Sequence, residues 1–238
     1  MIQADSNTQP HPTSDAVQGF SQQFVGYEAL AAQLLPWAID AKSTDGAHDL
    51  AHIARVWMNA KRIAEVEGAD LEVLVAAVIL HDCVAVEKSS PLRSQASHLA
   101  AERATAILTG LGWCKDRCAL VAHAIEAHSF SAGIAPQTQE ACIVQDADRL
   151  DAIGLIGVAR CFYTAGRMQS QLYDVADPKA VQRELQDKAF ALDHFPSKLL
   201  KLSENFRTGH GAALAKQRHR LLKDFYDGFL SEVVIPHF

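Results

Sequence analysis

The sequence predicts a single all-α domain, a helical bundle, and three observations carry that prediction. Helix breakers are scarce, with 13 glycines and 8 prolines in 238 residues, about 9% against a usual ~12%. Apolar residues recur at three- and four-residue spacing in long stretches that open on capping residues and stop at glycines. No Val/Ile/Thr-rich alternating run flanked by hairpin turns is present. With 49% hydrophobic residues, a chain of this length buries a sizeable core without staples.

Each element follows from its own residues. Residues 1–22 are polar, rich in Pro, Ser and Thr, and aperiodic until Phe20, so they read as a flexible tail outside the chemistry. From Tyr27 to Lys42, Leu30, Leu34 and Trp37/Ala38 mark a helix that Pro36 kinks or re-bounds. Ala47–Val66 contains no Gly or Pro and meets a stop at Gly68. Asp70 then caps Leu71–Leu80, a nearly unbroken apolar run. Periodicity alone does not separate helix from buried strand there, but the cap, Ala76–Ala77 and the preceding helix favour a buried central helix. Further helices are expected over Gln95–Leu108, ending at Gly110, and over Lys115–Ala127 after Trp113. One continuous helix is expected from Glu140 to about Thr164, and a long one from Pro196 to Val234, broken near Gly209–Gly211. Between these last two, Gln169–Phe195 is polar and partly acidic, and reads equally as a lid or as a plain surface excursion.

Charge and cysteine usage exclude several classes. Lys and Arg number 22 against 28 Asp and Glu, a formal charge of −6, which lacks the basic stripe a phosphate-backbone binder needs. Small anionic ligands remain open, because one pocket or a bound cation outweighs a modest net charge. The five cysteines, Cys83, Cys114, Cys118, Cys142 and Cys161, form an odd set mostly within apolar helical pattern. No signal-peptide pattern opens the sequence, so reduced thiols and a cytoplasmic location are expected. Cys114 and Cys118 lack a second Cys/His pair at finger-like spacing, which argues against structural zinc. The longest apolar run, around Val73–Leu80, falls far short of the ~18–20 residues of a membrane span. The expected partners are a small molecule, neither nucleic acid nor membrane, and a homodimer is compatible.

Chemistry concentrates at a few costly polar positions. His52 sits among Leu50, Ile53, Val56 and Trp57, with His48 one turn before it and Arg55 one turn after. His81 and Asp82 close the most apolar helix of the chain, where an imidazole and a carboxylate cost several kcal/mol unless paired or ligated. Asp146, Asp148 and Asp151 interrupt the apolar pattern of QDADRLDAIG. Two imidazoles and two carboxylates on three packed helices make an N/O metal site suited to Mn²⁺, Fe²⁺, Zn²⁺ or Mg²⁺. Helical geometry does not choose between Asp146 and Asp148, which lie about 200° apart around the axis, so both cannot readily face one cation.

At these residues the sequence resembles the HD-domain metal-dependent phosphohydrolases, whose pattern is H…HD…D. It reads here as His52 in HIARV, His81-Asp82 in LHD and Asp148 in ADRL, within a motif core of about residues 25–165. The stretches HDLAHIARVW, AHSFSAGI, IVQDADRLDAIGLIGVARCF and LDHFPSKLLKL look like a bacterial subgroup that includes nucleoside-triphosphate pyrophosphohydrolases. The resemblance implies an HD-type bundle over residues 23–238, with 166–238 as a C-terminal helical extension. It implies one divalent cation on His52, His81, Asp82 and Asp148, with Mn²⁺ favoured and Mg²⁺, Fe²⁺, Zn²⁺ or Ni²⁺ as alternatives. The implied reaction is hydrolysis of a nucleotide by metal-activated water, a triphosphate going to monophosphate and pyrophosphate. A nucleotide monophosphatase or cyclic-nucleotide phosphodiesterase is the alternative within the class, and a non-catalytic ligand-sensing protein the alternative outside it.

The chain departs from some relatives. Cys83–Lys88 follows the HD without the acidic pair of alarmone hydrolases. His123 and His128 lie about 140° apart on a helix, against a full dinuclear site. Asp82, Lys88 and His128 are the catalytic candidates, and Arg55, Lys88 and His128 the substrate contacts. Surface charge for Lys88, a salt bridge for Arg55 and a helix-dipole partner for His128 are the plainer roles. His48 reads as a cap or supporting residue, Asp49 as an orienter of a ligand histidine, and Arg93 as a second cation near the loop. His123 reads as structural and His194 as part of a helix start.

Overall fold

The computed structural model describes residues 14–38, 50–84, 86, 93–129 and 132–233. Ten α-helices cover most of these: α1 Ser14–Ser21, α2 Glu28–Ala38, α3 Leu50–Glu67, α4 Leu71–Leu80, α5 Ala96–Gly110, α6 Lys115–His128, α7 Gln139–Asp151, α8 Gly154–Arg167, α9 His194–Ser197 and α10 Gly209–Val233. Among the described residues the only β pairing is an isolated bridge between Gln171 and Phe190. The expected all-α class is what the chain adopts.

Helix α4 is the axis of the bundle. The Asp70 carboxylate accepts from the backbone N–H groups of Glu72 and Val73 at 3.0 and 3.2 Å, capping the helix start. Every residue from Val73 to Leu80 is buried, because α2, α3 and α6 surround the helix. An all-round apolar helix of this kind is stable only inside such a cage. Burial therefore dictates where α4 ends: the next two residues, His81 and Asp82, emerge at the junction of α3, α6 and α7. Gly68, at φ +74°, terminates α3 in the left-handed conformation and lets the chain double back into α4.

Three expectations are corrected. Ser14–Ser21, inside the stretch read as a polar tail, is helical; Val17 and Phe20 pack on the core, and Phe24 stacks on Trp57 with centroids 5.3 Å apart. Two large apolar residues in eight are too few to register as periodicity, and their value comes from the partner helix. The helix expected from Glu140 to Thr164 is two helices. Gly154 takes φ +72°, and the Arg218 side chain lies where its Cβ would point. Arg218 Nη1 also donates to the Leu150 carbonyl at 2.5 Å, satisfying an acceptor that the end of α7 leaves open. The C-terminal helix begins at Gly209, at the expected break, while the stretch ahead of it holds only α9 and a 3₁₀ turn at Leu199–Lys201.

Two carboxylates, one of them buried, and a hydroxyl set the start of α10. Thr208 Oγ1 accepts from the Gly211 N–H at 3.0 Å, and Glu67 accepts from the His210 N–H at 2.7 Å. Asp146, fully buried on α7, accepts from the Arg207 and Thr208 N–H groups and from the Thr208 hydroxyl at 2.8–3.0 Å. A second, aromatic core joins α8, α9 and α10 through Phe162, Phe195, Phe225 and Phe229.

A Cβ at Gly211 would meet Asp146 Oδ2 at 2.6 Å and Thr208 Oγ1 at 2.5 Å, whereas one at Gly110 would meet nothing within 4 Å. Gly211→Ala is therefore expected to lower stability by about 1–3 kcal/mol in urea unfolding. Gly110→Ala is expected to leave it unchanged or raise it by about 0.4–1 kcal/mol.

Candidate metal centre

Three helix ends and one helix face deliver the polar residues. His52 projects from the first turn of α3, His81 and Asp82 follow α4, His128 closes α6, and Asp148 lies on α7. The imidazoles are buried and the carboxylates partly open: side-chain exposure is 1% for His52 and 0% for His81, against 29% for Asp148 and 40% for Asp82.

Hydrogen bonds set the chemistry of the rings. His81 Nδ1 donates to the Val78 carbonyl at 2.8 Å, and His128 Nδ1 to the Ile125 carbonyl at 2.6 Å. A carbonyl only accepts, so each Nδ1 carries the proton and each neutral ring presents a bare Nε2. His52 Nδ1 points at Asp151 Oδ2, 2.8 Å away, so that ring likewise turns its Nε2 toward the cluster. The bare Nε2 atoms of His52 and His81 then stand 3.2 Å apart. Asp148 Oδ1 lies 3.5 Å from the first and 4.0 Å from the second, and Asp82 Oδ2 lies 3.5 Å from His81 Nε2.

Two lone pairs facing each other beside two carboxylates repel unless a positive charge lies among them. A proton or a divalent cation meets that need, and the N₂O₂ donor set is one that transition metals and Mn²⁺ accept. His52, His81 and Asp148 offer donor atoms all within 4.8 Å of one another, and so do His81, Asp82 and His128. Burial opposes charging of His81, yet Asp82, Asp148 and the Val78 carbonyl together raise its pKa. Burial and the neighbouring His81 lower that of His128 and favour its neutral form. The Nε2 of His128 lies 3.7 Å from Asp82 Oδ1.

The structure separates the two aspartates that helical geometry leaves open. Asp148 faces the histidines, while Asp146 points the other way into the Arg207–Thr208 turn. Burial raises the Asp146 pKa despite those hydrogen bonds. Asp146 anchors the C-terminal segment to α7.

Asp151 holds a role that the sequence did not disclose. Besides His52, it accepts from Arg55 Nε at 2.6 Å and Nη2 at 3.1 Å, and from Arg160 Nη1. Burial works against its charge, but the hydrogen bonds from His52 and Arg55 and the Arg160 charge hold the carboxyl far below the usual range. An ionised Asp151 orients the His52 ring and raises its donor strength. Its signal was its place three residues after Asp148, one helical turn on.

Other candidates fall elsewhere. Arg55 engages Asp151 with two of its nitrogens. His123 Nε2 accepts from the Gln137 N–H at 2.9 Å, a structural tie, and His194 sits 3.3 Å from Asp187. His48, Asp49 and Lys88 lie outside the described residues. Arg93 opens a 3₁₀ turn before α5. The Gln169–Phe195 excursion is tied to itself: Gln171 and Ala189–Ala191 exchange backbone hydrogen bonds at 2.9 Å, and Arg183 pairs with Asp174 and Asp193. The Cys83 thiol, pushed up to about 11 by burial, is no nucleophile. Its carbonyl accepts from Arg103 at 2.7 Å, which secures the turn just after Asp82.

Comparison with known proteins agrees with this geometry. The HD domain family matches residues 49–153. YpgQ of Bacillus subtilis (strain 168), an uncharacterized protein, is 32% identical over 200 residues, 82% of this chain and 89% of its own length. The crystal structure of B. subtilis YpgQ in complex with ADP superposes with a TM-score of 0.65 at 31% identity, covering 84% of this chain and 96% of that one. An HD-superfamily hydrolase from Bacillus thuringiensis gives 0.63 at 28% identity over 92% and 98% of the two chains.

Asp151→Asn keeps the volume but removes the charge that orients His52. It is expected to weaken Mn²⁺ binding by about 10–100-fold in a calorimetric titration. Asp146→Asn is expected to leave Mn²⁺ affinity within about twofold of wild type, while lowering the thermal midpoint by several degrees.

Proposed function

The chain belongs to the HD-domain hydrolase superfamily, and we propose that it splits nucleoside triphosphates into monophosphate and pyrophosphate. A divalent cation on His52, His81, Asp82 and Asp148 would serve that reaction. The observation that carries the reading is the facing pair of bare Nε2 atoms, 3.2 Å apart, with two carboxylates converging on them. The fit is one of donor chemistry: neutral nitrogen and ionised oxygen ligands, with no thiolate in reach, suit Mn²⁺ or a similar ion. Such a cation supplies Lewis-acid polarisation of a phosphoryl oxygen and activates water near neutral pH. YpgQ in its ADP complex supports a nucleotide as the ligand class.

The chain's own groups account for orientation and proton movement. His52 and His81 are locked by their Nδ1 hydrogen bonds, so no rotamer search precedes binding. In hydrolysis a new bond forms between a water oxygen and the α-phosphorus. The bond from that phosphorus to the bridging oxygen breaks, and its electron pair leaves with pyrophosphate. We assign the proton released by the water to Nε2 of His128, which burial favours as the neutral base and which Asp82 Oδ1 faces at 3.7 Å. The half-exposed carboxylates leave the open side of the site to substrate.

A panel of ribo- and deoxyribonucleotides with Mn²⁺, its products resolved by anion-exchange chromatography, tests the reading. Monophosphate and pyrophosphate in equal amounts are expected. Release of orthophosphate from monophosphates, or opening of cyclic nucleotides, would overturn it. Asp82→Asn is expected to reduce kcat at least about a hundredfold. His128→Gln is expected to reduce kcat by about 10²–10⁴-fold while Mn²⁺ content stays near wild type.

A further inference from the structure

We infer that Arg160 forms an anion subsite beside the histidine cluster, built to take the pyrophosphate portion of a triphosphate. This inference rests on the nucleotide reading above. Asp151 carries a single negative charge, its side chain is 1% exposed, and Arg55 already holds it through two nitrogens at 2.6 and 3.1 Å. A second guanidinium nevertheless reaches the same carboxylate from α8, through Nη1 alone. Among the described residues Asp151 is the only ion-pair partner of Arg160, and its Nε and Nη2 make no hydrogen bond. The side chain is 23% exposed. A mostly covered guanidinium that shares its carboxylate with another guanidinium is costly to hold, and an arriving anion lowers that cost.

Its position names the anion. Arg160 Nη1 stands 3.4 Å from His52 Nδ1, so one imidazole ring separates it from the Nε2 that faces the metal cluster. A phosphate chain anchored at the cluster would reach Arg160 by running past the edge of the His52 ring. Among the described residues, Arg160 is a second positive charge on a carboxylate that Arg55 already engages. The planar fork left by Nε and Nη2 fits two phosphoryl oxygens together. Arg160 would thus discriminate a triphosphate from a monophosphate by holding the part that leaves.

Methylenediphosphonate, a pyrophosphate mimic that water does not split, is titrated into Mn²⁺-loaded wild-type, Arg160→Gln and Arg160→Lys proteins, with steady-state kinetics in parallel. Arg160→Gln is expected to bind Mn²⁺ as wild type does, to lose about 10–100-fold in diphosphonate affinity and to raise KM for the triphosphate more than it lowers kcat. Arg160→Lys keeps the charge for Asp151 without the fork, and is expected to restore part of that affinity. Unchanged diphosphonate affinity and KM in Arg160→Gln would overturn the inference, as would loss of Mn²⁺ from both variants, which would make Arg160 a positioning residue for His52. If the wild-type protein cleaves triphosphates and the variant's KM does not move, only the subsite fails. If the wild-type protein cleaves no triphosphate, the nucleotide reading fails instead, whatever the diphosphonate titration shows.

Discussion

The structure turns on a close approach that the bundle is built to maintain: two buried imidazole Nε2 atoms held 3.2 Å apart, which only a shared proton or a cation reconciles. Neither ring turns away, because each Nδ1 is committed, to Asp151 on one side and to the Val78 carbonyl on the other. The apolar cage around α4 places His81 at its end, and both rings are buried there. Unfilled, such a centre costs several kcal/mol. Filled by a cation it becomes an organised binding site, and the stability spent in assembling it reappears as affinity.

Helix α7 is where the two purposes of the fold meet. One face carries the partly open Asp148 and the buried Asp151, while its opposite face is bolted to the C-terminal segment. Asp146 takes the Arg207–Thr208 turn, and Arg149 donates to the carbonyls of Leu202 and Asn205 at 2.9 Å with its guanidinium over Phe206. Arg218 closes the end of α7 and also donates to Asn59 on α3, whose amide donates to the Ala147 carbonyl at 3.0 Å. Asn59 therefore ties the helix of His52 to the helix of Asp148. The residues after 195 thus act on the site without touching it, by fixing the distance between its ligands.

Much of this was legible in the sequence, for identifiable reasons. Caps and stops such as Asp70 and Gly68 act locally, so α3 and α4 could be placed within a few residues. The cluster could be located because His52, His81 and the aspartates stand at positions where an unpaired polar group is expensive. What was not legible depends on distant partners. The break at Gly154 is stabilised by Arg218, 64 positions on, and α1 by α2 and the core that Val17 and Phe20 meet. Asp146 and Asp148 are chemically identical and two residues apart, and only the Thr208 turn shows which of them faces away from the cluster. Asp151 looked like a third interruption of one helix until Arg55 and Arg160 converged on it from two others.

Anomalous scattering from crystals grown with Mn²⁺ locates the bound cation. One manganese peak is expected, bonded to Nε2 of His52 and His81 and to carboxylate oxygens of Asp82 and Asp148. Asp151 should remain on His52 Nδ1, outside the coordination shell. An empty cluster at saturating Mn²⁺, or a peak bonded to Asp146 in place of Asp148, would contradict this assignment.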